Sequence, residues 1–163
     1  MKVFSIFLTF FGIFFTTGRI TNQDWQETTK IVYSHSDASV APDYYRSYTL
    51  TVTKDSIRIY IGNYSGKLLT ESRPYSEQDF QVFVSKLKKA GIKKVKEVRS
   101  TATGCDTESL VLYKGDSIYF SAYRQCDGGD MELTDHISLE RIISKLAPEL
   151  VGKVEKTRRH LNI

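Results

Sequence analysis

Acidic residues flank the only two cysteines of the chain, Cys105 and Cys126. Asp106 follows the first cysteine, while Asp127 and Asp130 follow the second with two glycines between them. Several oxygen ligands converging on a loop are what calcium requires, although this spacing does not match the twelve-residue calcium loop. The three aspartates are therefore weak calcium candidates, and the alternative is a pair of acidic, solvated loop ends.

Histidine could support catalysis, but its placement favours no particular reaction. His35 lies in a Ser-His-Ser-Asp segment with the residue types of a hydrolytic triad, yet adjacent residues cannot all point at one reacting atom. His136 and His160 have no ligand-like spacing to another histidine or cysteine, so the sequence predicts surface histidines and no metal site of the zinc type. We expect no cofactor and no enzymatic activity. The alternative is a secreted enzyme whose site combines the acidic loops near the disulfide with His136.

A basic cluster is a candidate surface for an anionic partner. It covers the end of the first predicted helix and the residues after it, and it contains Lys86, Lys89, Lys93, Lys94 and Lys96. Such a cluster can contact an acidic protein, an acidic glycan or anionic lipid headgroups, and a solvated helix face is the alternative. Because the formal net charge is only +4 at pH 7, we expect no nucleic-acid partner.

Apolar residues on both faces of the second predicted hairpin give a third candidate. The face expected to join the core with the disulfide carries Val111, Tyr113, Ile118, Phe120 and Ala122. The opposite face is expected to carry the partner-binding candidates Leu110, Leu112, Tyr119 and Tyr123, with Tyr60 beside them. If that face is open, it can anchor a protein partner, and if another element covers it, it is a second core.

Two similar halves are expected to position these residues. In the first half, apolar and polar residues alternate over 48–53 and 56–61, which predicts a hairpin with its turn at 54–55. A short strand near 68–72 and a helix opened by Ser76 and closed by Gly91 follow. The same order returns as a hairpin over 109–113 and 117–124 and a helix over 138–147 that ends at Pro148.

This order predicts an α+β fold with one antiparallel β-sheet and two helices packed on one face. Short strings recur at the turn and on the helix, which suggests two hairpin-plus-helix repeats over 44–91 and 94–148, and chance convergence on a common β-β-α pattern is the alternative. Residues 25–33 and 94–98 are expected to add strands. Residues 149–163 are expected to form a basic C-terminal tail, as a final helical turn or a loose segment.

The second hairpin also places the cysteines. Pairing outward from a two-residue turn at 115–116 sets Cys105 opposite Cys126 in a non-hydrogen-bonded pair. Facing Cα atoms of such a pair approach to about 4.5 Å, which a disulfide accepts. The sequence therefore predicts one structural disulfide.

The first 18 residues have the layout of a secretory signal peptide. A lysine precedes an almost wholly apolar run that ends in small residues near Gly18. The run is shorter than the roughly 20 apolar residues that a spanning helix needs, so we expect cleavage and no spanning segment afterwards, and an uncleaved anchor is the alternative. The remaining chain is expected to be a single α+β domain, residues 19–148, followed by the tail, and to be exported as a monomer to the periplasm or the extracellular space, where a disulfide persists.

We therefore expect a small exported binding or inhibitor-like module. It would engage another envelope or extracellular macromolecule, an unknown protein or an acidic macromolecule, through the exposed sheet face or the basic helix face. The secreted enzyme described above and a structural envelope protein are the two alternatives.

Overall fold

A computed structural model of the protein describes residues 19–38, 41, 45–134 and 138–159. The predicted signal peptide, residues 1–18, and the two histidines His136 and His160 lie outside this part of the chain. The described residues form an α+β fold with one eight-stranded antiparallel sheet, four helices and one disulfide. None of these helices is long and apolar enough to cross a membrane.

The strands follow one another in the sheet in the order β4-β3-β2-β1-β6-β7-β8-β5. Their bounds are β1 Lys30–Ser36, β2 Ser47–Thr53, β3 Ser56–Asn63, β4 Gly66–Pro74, β5 Lys93–Val98, β6 Thr107–Lys114, β7 Ser117–Gln125 and β8 Gly128–Glu132. The helices are α1 Asn22–Gln26, α2 Glu77–Lys89, α3 Leu139–Leu146 and α4 Pro148–Arg159.

Strand β1 lies at the centre of the sheet, between β2 and β6. Tyr33 pairs with Leu50 on one side and with Leu110 on the other, and alternate residues of all three strands are buried. These residues form one core cluster with helix residues such as Phe83 and Ile143. Period-two strands and amphipathic helices thus share one core.

The first hairpin has the predicted register. Val52 faces Ile57, and Leu50 faces Ile59. All four side chains are buried, as the alternation requires. The strands near 68–72 and 94–98 are present as β4 and β5.

Helix α2 begins and ends as predicted. The Ser76 side chain accepts a hydrogen bond from the Asp79 backbone N–H, which satisfies one of the free donors of the first turn. Gly91 follows the helix with φ of 63°, a left-handed conformation that favours glycine.

Two segments differ from the predictions. The N-terminal part of 25–33 is not a strand, because Thr21 and Asp24 form a capping box that starts α1 and places Trp25 in the core. Residues 149–159 of the expected tail belong to helix α4, and Leu150 and Val154 of that helix are buried in the core. The two-repeat arrangement and the packing of the helices on one face stay predictions.

A β-bulge changes the register of the second hairpin. Next to the turn, Tyr113 faces Ile118 as predicted, but Leu112 faces Phe120 instead of Tyr119. The extra residue on β7 shifts all later pairs by one position. Because side chains alternate between faces, a shift of one residue exchanges the two faces of β6 relative to β7.

This exchange of strand faces contradicts several predictions of which side chains are buried. Leu110 and Leu112 are fully buried, so the prediction that they line an exposed sheet face is wrong. Val111 and Tyr113 are half-buried on the other face, and Ile118 is 57% exposed, so their predicted place in the core is also wrong. Phe120 and Ala122 are buried as predicted.

Candidate functional site

A groove with an apolar floor and a basic rim lies between α2 and α3. Its volume is about 390 Å³. The lining residues are Lys86, Lys89, Ala90, Leu133, Ile142, Lys145 and Leu146. A volume of this size falls in the range of small-molecule and peptide-anchor pockets. We call this feature the lysine groove.

The sequence of α2 explains why lysines border the groove. Phe80, Phe83 and Leu87 face the core, and the last turn carries basic residues that interact favourably with the negative end of the helix dipole. Lys86 and Lys89 therefore project beside the apolar floor instead of into the core. This arrangement stabilises α2 and also creates a concentrated positive rim.

The three lysines of the rim are available to an external anion. Lys86, Lys89 and Lys145 are exposed, and none of them takes part in an ion pair within the described ranges. Ile142 and Leu146 are only partly buried, so the groove also offers apolar contact area. The groove can hold a negatively charged group that is attached to an apolar body.

The remaining lysines of the predicted basic patch are placed differently. Lys93 pairs with Glu132 at 3.0 Å, and Lys94 pairs with Asp130 at 2.9 Å. Lys96 is exposed on β5. The five predicted residues thus divide into two that border the groove and three on the β5 edge of the sheet.

A second, polar cavity lies beside the disulfide. Cys105 precedes β6 and Cys126 follows β7, with their Cα atoms 5.4 Å apart, so the predicted bridge is confirmed although the bulge removes the direct strand pairing. The cavity has a volume of about 290 Å³. Besides the two cysteines, its lining consists of His35, Asp106, Glu108, Arg124, Ser138 and Glu140.

Glu108 is the most connected residue of this cavity. Its carboxylate is buried and accepts hydrogen bonds from the Tyr33 hydroxyl at 3.0 Å and the Glu140 backbone N–H at 2.7 Å. It also forms a salt bridge with Arg124. One carboxylate therefore joins β1, β6, β7 and the start of α3, and its charge is both paired and hydrogen-bonded, as burial demands.

His35 lies next to this network on β1. Its imidazole is 5% exposed, stacks on the Tyr48 ring, and places Nε2 3.8 Å from Asp106 Oδ2 and 3.9 Å from Glu140 Oε2. Burial raises the pKa of both Tyr33 and Tyr48, so these phenols stay neutral at every ordinary pH. The cavity thus combines two solvent-facing carboxylates with a buried imidazole, and the two neutral tyrosines lie next to its His35 and Glu108.

The three calcium candidates do not converge. Asp106 accepts a hydrogen bond from the Ala38 backbone N–H, Asp127 accepts from the Ser100 hydroxyl, and Asp130 pairs with Lys94. The bond from Ser100 lowers the pKa of Asp127. Among the described residues, no group of three or more acidic, histidine or cysteine side chains is arranged to hold a metal ion.

The three tyrosines of the predicted partner-binding face do not form one stripe. Tyr119 packs against the core and hydrogen-bonds with the Thr28 hydroxyl at 2.6 Å. Tyr123 donates to Glu97 at 2.6 Å, and Tyr60 is 39% exposed on β3. With Leu110 and Leu112 in the core, the continuous apolar stripe that the sequence suggested is not present.

Sequence reasoning missed the residues that define the polar cavity. His35, Arg124 and Glu140 were not predicted to lie together. One signal was available, because alternation from Ile31 through Tyr33 places His35 on the buried face of β1. No protein-family model, curated protein or solved structure matches this chain.

Proposed function

We propose that this protein is an exported binding module that engages an acidic segment of a partner protein through the lysine groove. The observation that carries the proposal is the set of three exposed lysines, Lys86, Lys89 and Lys145, around an apolar floor. A disulfide and the lack of a membrane-spanning helix in the described part of the chain are compatible with export.

The groove suits a segment that combines acidic and apolar side chains. An apolar anchor can cover Ile142 and Leu146, which are incompletely buried, while acidic side chains on the same segment meet the lysines. Amphipathic helices lie in apolar grooves in this way, with anchors spaced by three or four residues. The charged rim guides association and the apolar floor supplies most of the affinity.

The test uses a fluorescein-labelled helical peptide with glutamates on one face and leucines on the other. Fluorescence anisotropy should show saturable binding that weakens as salt screens the rim. The double variant Lys86→Glu/Lys145→Glu removes two attractive contacts of about 0.5 kcal/mol each and adds two repulsions of similar size. We expect affinity to fall by about 2 kcal/mol, or roughly thirtyfold.

Matched variants separate the groove from general charge. Lys67→Glu/Lys156→Glu changes the net charge equally at exposed positions outside the groove and should leave binding nearly unchanged. Ile142→Ser should weaken binding, whereas Val82→Ser, at a 49% exposed position of α2 that does not line the groove, should not. Equal effects of both charge pairs, or tight binding of decanoate with no binding of the peptide, would overturn the proposal.

A further inference from the structure

We propose that the acidic partner segment continues from the lysine groove into a second depression on the other side of the end of α2. This inference rests on the proposed function, because it extends the same interface to a second contact. The second depression has a volume of about 240 Å³. Its lining includes three cationic and three large apolar side chains, which are Arg19, Lys88, Lys93, Ile20, Trp25 and Ile92. We call it the tryptophan pocket.

The lysine groove and the tryptophan pocket share one wall. Ala90 lines the groove, and the next residue, Gly91, lines the pocket. In the same way, Leu133 lines the groove and Thr134 lines the pocket. The Thr134 backbone N–H donates to the Ala90 carbonyl at 3.2 Å, and the Thr134 hydroxyl donates to the Gly91 carbonyl at 3.1 Å. These bonds hold the end of α2 against the segment after β8, so the two depressions are preorganised side by side and one bound segment can reach both.

Both depressions are positively charged. Among the residues that the structure describes, no acidic side chain lines either of them. Arg19 and Lys88 are exposed and form no ion pair in the described ranges, whereas Lys93 pairs with Glu132 at 3.0 Å. Together with the three lysines of the groove, these two residues make five unpaired cations around one continuous surface. Because the whole chain has a formal net charge of only +4, the charge is concentrated here and attracts an acidic segment.

Apolar side chains in the tryptophan pocket favour a polypeptide over other polyanions. Ile20 is only partly buried, and the Trp25 and Ile92 side chains of the same lining belong to the core. Covering this surface with another apolar side chain removes it from water, which is favourable. A polypeptide can carry acidic and apolar side chains along one segment, whereas a sulfated glycan offers charge without apolar anchors. The tryptophan pocket therefore fits a second apolar anchor of the acidic segment.

The test compares a short and a long acidic peptide on the oxidised, full-length protein. The short peptide is the fluorescein-labelled helix that tests the groove. The long peptide adds a flexible glycine-serine linker and a second segment of glutamates around one leucine, at either end of the helix. A serine version replaces that leucine and keeps the charge. Because the second contact becomes intramolecular, the better of the two long peptides should bind at least about tenfold tighter than its serine version.

Trp25 reports on the tryptophan pocket separately from the groove. It is the only tryptophan of the chain, and it lines the pocket but not the groove. An unlabelled long peptide should therefore cause a saturable change in Trp25 emission, with the dissociation constant that anisotropy gives. The short peptide should change the anisotropy and leave the emission nearly unchanged.

Charge variants test the rim of the tryptophan pocket. Arg19→Glu/Lys88→Glu should lower the affinity of the long peptide by at least about fivefold, towards that of the short peptide. The short peptide should lose less than about twofold at roughly 0.15 M salt, where the screening length is about 8 Å. Lys67→Glu/Lys156→Glu changes the net charge equally outside both depressions and should leave both peptides nearly unaffected.

The possible outcomes distinguish the second contact from the groove itself. Binding of the short peptide, with no gain from the added leucine and no change in Trp25 emission, would overturn the second contact and leave the groove in place. Absence of saturable binding by either peptide would overturn both. Tighter binding of heparin than of the long peptide, with an equal loss in Arg19→Glu/Lys88→Glu, would assign the surface to a sulfated glycan and overturn the polypeptide partner.

Discussion

Replacing Glu108 with alanine should cost about 2–4 kcal/mol of unfolding free energy. The carboxylate is 5% exposed and serves three donors at once: the Tyr33 hydroxyl, the Glu140 backbone N–H and Arg124. Alanine removes the acceptor for all three. The cost is therefore set by how well each donor can find another partner.

The three donors differ in their access to water. The Tyr33 side chain is fully buried, and an unsatisfied hydroxyl there costs about 1–3 kcal/mol. The Glu140 N–H adjoins the cavity, where water replaces part of a bond of about 1 kcal/mol. Arg124 is 30% exposed, so water screens its salt bridge, and losing that salt bridge should cost less than about 1 kcal/mol. The tyrosine thus dominates the sum.

Urea unfolding of the oxidised protein measures this loss. Fluorescence of Trp25, the only tryptophan, reports the transition because the side chain is 5% exposed in the core. Glu108→Gln keeps a carbonyl acceptor and should lose about half as much as Glu108→Ala. A double-mutant cycle with Tyr33→Phe should give a coupling energy of about 1–2 kcal/mol.

Two results would refute this reasoning. One is a loss of less than about 0.5 kcal/mol in Glu108→Ala, which is the range of ordinary surface substitutions. The other is an equal loss in the alanine and glutamine variants together with no coupling to Tyr33. That combination would show that the buried hydroxyl does not depend on this carboxylate.

Three other stability predictions follow from the structure. Replacing Cys105 and Cys126 with serine should lower the unfolding free energy by about 3 kcal/mol, because the bridge closes a loop with a sequence separation of 21, and unchanged urea midpoints would contradict this. The pKa of Asp24 is lowered from 3.8 to about 2, mainly by its hydrogen bond to a lysine of β6. The ionised carboxylate therefore contributes its full share of the unfolding free energy above pH 3.8, and this share is lost as the pH falls through 2. Asp24→Asn should therefore cost about 1 kcal/mol at neutral pH, discounted for solvent screening, and the two unfolding curves should converge in strong acid. Gly129→Ala should destabilise more than Gly66→Ala in thermal unfolding, since both have positive φ but the new Cβ meets the backbone at 2.4 Å only at Gly129. An equal loss of thermal stability in the two variants would show that the backbone near residue 129 moves and relieves the close contact.

The sequence was sufficient wherever its pattern had one interpretation. The first hairpin alternates strictly, so Leu50 and Ile59 could be paired from the turn alone, and the structure has that register. Helix α2 has both a capping residue, Ser76, and a terminal glycine, Gly91. The disulfide was also predicted correctly, because two cysteines near the open end of a hairpin have few other options.

The sequence was insufficient where two patterns fit equally well. In β7, Ile118, Tyr119 and Phe120 are consecutive apolar or aromatic residues, so alternation cannot show which one is the extra residue of the bulge. The polar cavity could not be predicted for a different reason. Its residues come from β1, β6, β7 and α3, and only the strand order, which local pattern does not give, brings His35 beside Glu140.

The central place of β1 has a consequence for how the chain reaches this state. In the sheet, β1 is the strand that connects the meander β2-β3-β4 to the strands β6-β7-β8-β5. Its Tyr33 pairs with Leu110, which lies 77 positions later in the sequence. Until that long-range pairing forms, one edge of β1 keeps unpaired backbone N–H and C=O groups. The partly formed sheet therefore has an exposed edge strand that can pair with another chain. We therefore expect that weakening the pairing of β1 with β6 slows folding of the whole domain, because both halves of the sheet contribute to one shared core.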